Sequence, residues 1–271
     1  MAEAGDTILA LALGLLQGIT EFLPISSDGH LAVFSMLFTV PQASLALTVL
    51  LHVGTLLATA LVFRKDLLQL ARVTLREARR PAAFMDTPEG VLLRNIVLAS
   101  VPTAVIGLAL ESRVESLSRI VWVVGVGFLV SAAAVLSTRG RVQGSDALGA
   151  AAALLIGVVQ GMAVLPGVSR SGLTIATALA LGMSATAAFR FSFLLSLPAV
   201  TGAALLELGD PAVLRQFTAI SWFAAAVAFA SGYVALRVLG GLLVRGQFWL
   251  FGLYLVPLGA AMVAWDVWGG G

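Results

Sequence analysis

Cysteine is missing from the 271 residues, which excludes disulfides, thiolate catalysis and Cys-ligated metal. Charge is scarce as well: 16 Lys and Arg against 14 Asp and Glu leave a net +2, so nucleic acid is not a supported partner. The start of the chain, Met1 to Asp6, is acidic, unlike the basic opening of a cleaved secretory signal, so the first apolar segment is expected to stay in the mature protein. What is abundant is apolar side chain, 59% of the residues and far more than one soluble core could hide. At roughly 20 apolar residues per span, the length allows eight or nine hydrophobic segments and no sizeable soluble domain.

Apolar runs between charged or Gly/Pro punctuation predict full membrane spans near 43–63, 91–110, 120–137, 187–207, 217–239 and 248–268. Two further stretches, 7–40 and 147–182, are apolar at both ends but broken in the middle, by FLPISSDGH and by LPGVSRSG. That pattern suits a re-entrant hairpin of two half-helices whose tip is buried in protein, because lipid would leave the tip backbone unsatisfied.

Seven Lys and Arg fall in 64–94, with Arg139 and Arg141 in the next candidate loop and Arg237 and Arg245 in a third, so these loops are expected to be cytoplasmic. The first hairpin then enters and leaves on the outer side, the second on the cytoplasmic side, and both termini lie outside. Each half becomes one broken hairpin and three spans, the second half inverted. The expectation is an all-α polytopic membrane protein with six transmembrane helices and two re-entrant hairpins. It forms one integral membrane domain over 1–271, repeat one covering 1–140 and repeat two 141–271. Gly14-Leu-Leu-Gln17-Gly18 and Gly157-Val-Val-Gln160-Gly161 match between the halves, and each precedes a Leu-Pro and a serine cluster. A GxxxG lets helix backbones approach closely in lipid, and it is compatible with a homodimer.

At the first breaker Gln17 and Glu21, four apart, share a helix face. Pro24 ends the helix, and Ser26, Ser27 and Asp28 supply caps for a helix beginning near Gly29 and His30, with Ser27 and His30 facing the same way. At the second breaker Ser169, Arg170 and Ser171 form the tip, and a helix resumes through Leu173 and Thr174. One tip offers a carboxylate, a hydroxyl and an imidazole; the other offers an obligate cation and hydroxyls at a helix N-terminus. Together they suit a phosphate or pyrophosphate. Any single Ser or Thr here reads by itself as bonded back to its own helix, whereas Glu21 and Arg170 at membrane depth are functional candidates by default. The two can also simply pair as a structural salt bridge. His52, in LLHVGTLLA, reads as a hydrogen-bonded structural residue, and Glu207, Asp210 and the cluster from Arg72 to Arg80 as solvated loop charges.

The string QGITEFLPISSDGH, with LLHVGTLLA, LPGVSRSGLT and FRFSFLLSLPA following in order, closely resembles undecaprenyl-diphosphate phosphatases of the bacitracin-resistance type over nearly the whole chain. The resemblance implies a phosphatase of the plasma membrane that converts undecaprenyl diphosphate to the monophosphate carrier recycled for peptidoglycan synthesis. It also implies a divalent cation, Mg²⁺ or Ca²⁺, and an active site reached from the outer face. The family's E/Q-xxx-E motif falls on Gln17 and Glu21, its serine and histidine on Ser27 and His30, and its PGxSRSxxT motif on Pro166, Gly167, Ser169, Arg170, Ser171 and Thr174. Asp28 stands where the family usually has Ser or Thr. Gln17 makes the first motif position an amide, which binds a hard cation only through its carbonyl oxygen.

The expected catalytic set is therefore Glu21, Ser27, His30 and Arg170, with Gln17, Ser26, Ser169, Ser171 and Thr174 binding substrate and Glu21 the metal. Arg170 and the helix N-termini would hold the diphosphate of a prenyl lipid whose tail lies among membrane lipids. Ser27 with His30 as its base, His30 itself or a water are all open as the nucleophile. The rival from another class is a secondary transporter or lipid-phosphate flippase, built on the same kind of inverted repeat but needing no nucleophile beside a base.

Overall fold

The computed structural model describes residues 2–38, 44–77 and 79–269, and among them every regular element is a helix. The first stretch gives α1 (Ala2–Phe22) and α2 (Ser27–Phe38), divided at Pro24, and residues 39 and 40 of the first expected hairpin lie outside the described residues. Then follow α3 (Leu45–Val62), α4 (Arg64–Glu77), α5 (Pro81–Met85), α6 (Pro88–Ser118) and α7 (Val121–Leu136). The second broken stretch gives α8 (Ala150–Met162) and α9 (Arg170–Ala180), followed by α10 (Ala185–Leu208), α11 (Pro211–Leu214), α12 (Ala219–Val244) and α13 (Leu250–Trp268).

Five helices, α3, α6, α10, α12 and α13, are long and apolar enough to cross a membrane, which makes this a polytopic membrane protein. The span expected at 120–137 is the apolar helix α7, only 16 residues long, or about 24 Å at 1.5 Å per residue. The charges from Arg72 to Arg80 do not all sit in a loop: α4 carries the first of them on an amphipathic helix with no buried residue. Its Leu68 and Leu75 are exposed beside Arg72 and Arg76, a pattern whose period escapes a reading that weighs charge alone.

Small residues decide the packing. A Cβ on Gly14 would stand 2.4 Å from the Ala224 carbonyl oxygen, and one on Gly18 2.5 Å from that of Ala228, so α1 lies backbone to backbone on α12. In the second half, Gly157 and Gly161 of α8 meet Ala99, Pro102 and Ile106 of α6 in the same manner. Where α7 crosses α13, Gly125 and Gly259 face each other, each leaving the other's carbonyl no room for a side chain. These glycine motifs are thus packed within the chain.

Four phenylalanines form a block beneath the end of α1. Phe22 contacts Phe193 with ring centroids 5.8 Å apart, Phe193 contacts Phe63 at 6.1 Å, and Phe189 contacts both Phe63 and Phe193. Phe22, Phe63 and Phe193 are buried. The block runs from the residue after Glu21 to the residue before Arg64, and a Cβ on Gly232 of α12 would strike Phe22.

Candidate active site

The two broken stretches meet tip to tip. A Cβ on Gly29 would lie 2.7 Å from the Phe128 ring and 3.0 Å from Gly167 Cα, so only glycine permits this approach. Gly167 also needs its freedom, with φ +78° and its Cα wedged against Val124 and Gly127 of α7. On the first tip the turn after Pro24 is closed by Ser26, a non-glycine residue at φ 67° whose Oγ accepts from the Gly29 N–H at 3.3 Å. Such a backbone is costly for a residue with a Cβ and recurs where function constrains the chain.

Glu21 is the centre. It is 9% exposed, and its carboxylate accepts from Gln17 Nε2 at 3.0 Å, from Ser27 Oγ at 2.7 Å and from Arg170 Nη2 across the two tips. The Glu21–Arg170 pair is an ion pair with little solvent on either side chain. At this burial, removing one partner of such a pair costs about 3–5 kcal/mol, because the other charge is left uncompensated. His52 Nε2 lies 3.3 Å from Gln17 Nε2 and 3.9 Å from Glu21 Oε2. Its Nδ1 faces the Thr48 carbonyl at 2.9 Å, which assigns the proton to Nδ1 and makes Nε2 the acceptor from Gln17 in the neutral ring.

Ser27 and His30 share the first turn of α2, yet no hydrogen bond joins them. His30 Nδ1 donates to the Ser26 carbonyl at 2.8 Å, and its Nε2 faces the Tyr254 hydroxyl of α13 at 2.8 Å. Phe128 meets the ring edge-on at 5.2 Å, and the Tyr254 ring stacks on it at 5.8 Å. Tyr254 is 48% exposed, so His30 marks the open edge of the site while Glu21 lies inside. Asp28 is exposed and within electrostatic range of His52, Glu21 and Arg170.

The second tip spends its hydroxyls differently. Ser169 Oγ caps α9 by accepting from Gly172 N at 3.1 Å, while the Ser169 N–H donates to Ser131 Oγ at 2.7 Å. Ser171 Oγ lies 3.3 Å from Ser169 Oγ and 3.4 Å from the Leu23 carbonyl of the first tip. Thr174, fully buried, donates to the Arg170 carbonyl and meets Ser192 Oγ at 2.5 Å.

Gln17 Oε1 and Arg170 Nη1 are buried and without a hydrogen-bond partner. One is a free acceptor and the other a free cationic donor, so the Glu21–Arg170 pair leaves hydrogen-bonding capacity for a further polar group. Sequence reasoning read His52 as a hydrogen-bonded residue, which its contacts to Thr48 and Gln17 bear out, but did not place it beside Glu21 and did not find Tyr254. The signal for His52 was its place in LLHVGTLLA; for Tyr254, 224 residues from His30, local sequence holds none.

A family model described as "Bacitracin resistance protein BacA" matches residues 10–261. Among curated relatives, a protein of Korarchaeum cryptofilum named undecaprenyl-diphosphatase is 38% identical, the match covering 94% of this chain and 97% of that one. Proteins of the same name from Desulfosudis oleivorans and from a Nocardioides strain are 41% and 36% identical, covering 94% of this chain and 96% and 95% of theirs.

Proposed function

This chain belongs to the bacitracin resistance protein BacA family, and on that premise we propose that it is a membrane phosphatase that hydrolyses undecaprenyl diphosphate to undecaprenyl phosphate and inorganic phosphate. The observation that carries the chemistry is the buried carboxylate of Glu21, bonded at once to the Ser27 hydroxyl and the Arg170 guanidinium. Relatives named undecaprenyl-diphosphatase favour this over a transporter or flippase.

Arg170 grips the terminal phosphoryl group through the N–H groups its partner leaves free, beginning with Nη1. Ser27 Oγ attacks the terminal phosphorus and its proton passes to Glu21 Oε2, 2.7 Å away. The bond to the bridging oxygen breaks and undecaprenyl phosphate leaves. Water then attacks the Ser27 phosphoester, the departing Ser27 oxygen recovers its proton from Glu21, and inorganic phosphate retains both protons of the water. His30, fixed by Ser26 and Tyr254, stands at the open edge where that water enters, and shapes the entrance with Tyr254. Glu21 thus takes the role of proton acceptor that the chain order suggested for His30.

The donor set fits a divalent cation held jointly with substrate. Among the described residues no three His, Asp or Glu side chains gather around a common point, so Glu21 and the unpartnered Gln17 Oε1 are the residues that would hold Mg²⁺ or Ca²⁺. When bound, the cation supplies positive charge to the phosphoryl oxygens. The basic loops and the Phe block below Glu21 favour a plasma-membrane protein whose site opens outward, with the prenyl tail among membrane lipids. The matched α1–α12 and α8–α6 packings favour two inverted repeats, six spans and two re-entrant hairpins within one domain.

The test is release of inorganic phosphate from undecaprenyl diphosphate by purified protein with Mg²⁺ or Ca²⁺. Cation-dependent release that EDTA abolishes is expected. Release no greater than in a protein-free detergent control would overturn the reading.

A further inference from the structure

We propose that the protein carries a second anion site, specific for a phosphate group, on the other side of the Phe block from Glu21. An open surface pocket of about 190 Å³ lies between the junction of α3 with α4 and the face of α12, lined by Val62, Tyr233 and the exposed cations Arg64, Lys65 and Arg237. That is room for roughly six waters at about 30 Å³ each, enough for a phosphate with part of its hydration. Three of the five lining residues are cations, one is a hydroxyl and none is a carboxylate.

The nearest acidic neighbour in sequence, Asp66, is engaged by Arg190 Nε at 2.6 Å. Among the described residues Arg64, Lys65 and Arg237 form no ion pair. Neutral groups hold the two arginines instead. Arg64 Nη1 donates to the Leu61 carbonyl at 2.9 Å. Arg237 Nη2 donates to the Tyr233 hydroxyl at 3.2 Å, with its guanidinium 5.5 Å from the ring centroid. Each arginine keeps further N–H donors for a ligand. Three like charges around one small pocket repel each other, and a multiply charged anion with several acceptor oxygens relieves that repulsion best. Leu61, Val234 and Val238, which adjoin the lining residues in sequence, are exposed apolar side chains on the same two helices, a surface on which acyl chains can rest.

The site is distinct from that of Arg170, because Phe63 separates Arg64 from Phe193 and Phe22. Two sources present the required chemistry, the phosphate of an anionic lipid headgroup and free inorganic phosphate. Basic pockets between membrane helices favour headgroups in general.

The experiment is equilibrium binding of radiolabelled inorganic phosphate to the full chain in phosphatidylcholine nanodiscs. Lys65→Gln and Arg237→Gln should each weaken one class of phosphate site by about tenfold, the scale of one charge-assisted hydrogen bond. Arg170→Lys should leave that class untouched, and both pocket variants should still release phosphate from a prenyl diphosphate. Nanodiscs of mixed phosphatidylcholine and phosphatidylglycerol separate the sources: displacement from this class identifies a headgroup as occupant, and undiminished binding identifies free phosphate. Isotherms identical to wild type in both folded pocket variants would overturn the proposal. If either variant fails to elute as a folded species, a salt titration of the wild type in the presence of Arg170→Lys as reference decides: affinity of this class must fall with salt, and a salt-independent class overturns the site.

Discussion

The two tips carry similar strings of Pro, Gly and Ser, yet they use their polar atoms in opposite ways. On the first tip Ser27 and the site-facing atoms of Glu21 and Gln17 point at one another and at the partner tip, leaving Gln17 Oε1 unsatisfied. On the second, Ser169 and Thr174 are bonded into caps and helix-to-helix contacts, while Arg170 bonds Glu21 and Ser171 lies 3.4 Å from the Leu23 carbonyl. Both breaks contain one residue in the left-handed region, Ser26 in the first and Gly167 in the second, and they differ in what their side chains bond.

That contrast can be broken or sharpened by substitution. The largest effects belong to Ser27→Ala and Arg170→Ala, which should lower phosphate release by about 10³-fold or more, as losing a nucleophile or its charge partner does. Arg170→Lys should remain strongly impaired, in kcat as well as KM, because an ammonium cannot hold Glu21 and a phosphoryl group through a planar fork. Steady-state release by folded variants checks this, and a fully active Lys variant would reduce Arg170 to a point charge. Intermediate losses are expected at the open edge, about 10²-fold for His30→Ala. Activity near wild type there would return His30 to a packing role against Tyr254 and Phe128. The smallest effect should come from Ser169→Ala, which removes an N-cap worth about 1 kcal/mol and so lowers thermal stability while kcat stays close to wild type. A collapse of kcat without loss of stability would show that Ser169 touches substrate, and the contrast between the tips would fail.

Much of the site was legible before any coordinates. Gln17 and Glu21 meet because helical spacing of four brings them together, and Arg170 was singled out by the cost of a cation at membrane depth. The partner of Ser27 was not legible, since its bond to Glu21 depends on a turn closed by Ser26 in a left-handed conformation that few side chains adopt. His52 and Tyr254 reach the site from α3 and α13, and no local rule ties them to residues on α1 and α2. In the fold, five of the six expected spans were legible from composition, and the sixth is the shorter apolar helix α7. The helix α4 was not, because its charges outweighed its leucines in a reading by segment.

The block of Phe22, Phe63, Phe189 and Phe193 has an electrical consequence. A membrane at 100 mV charges about 2.3 kcal/mol for carrying one elementary charge across its whole thickness. Voltage drops where the medium is least polarisable, and a plug of packed rings next to Glu21 concentrates the drop there instead of across the polar tips. The Glu21 carboxylate and the Arg170 guanidinium, paired on one side of that plug, then sit at nearly one potential. Packed rings thus keep the protein poorly polarisable immediately beside its buried Glu21–Arg170 pair.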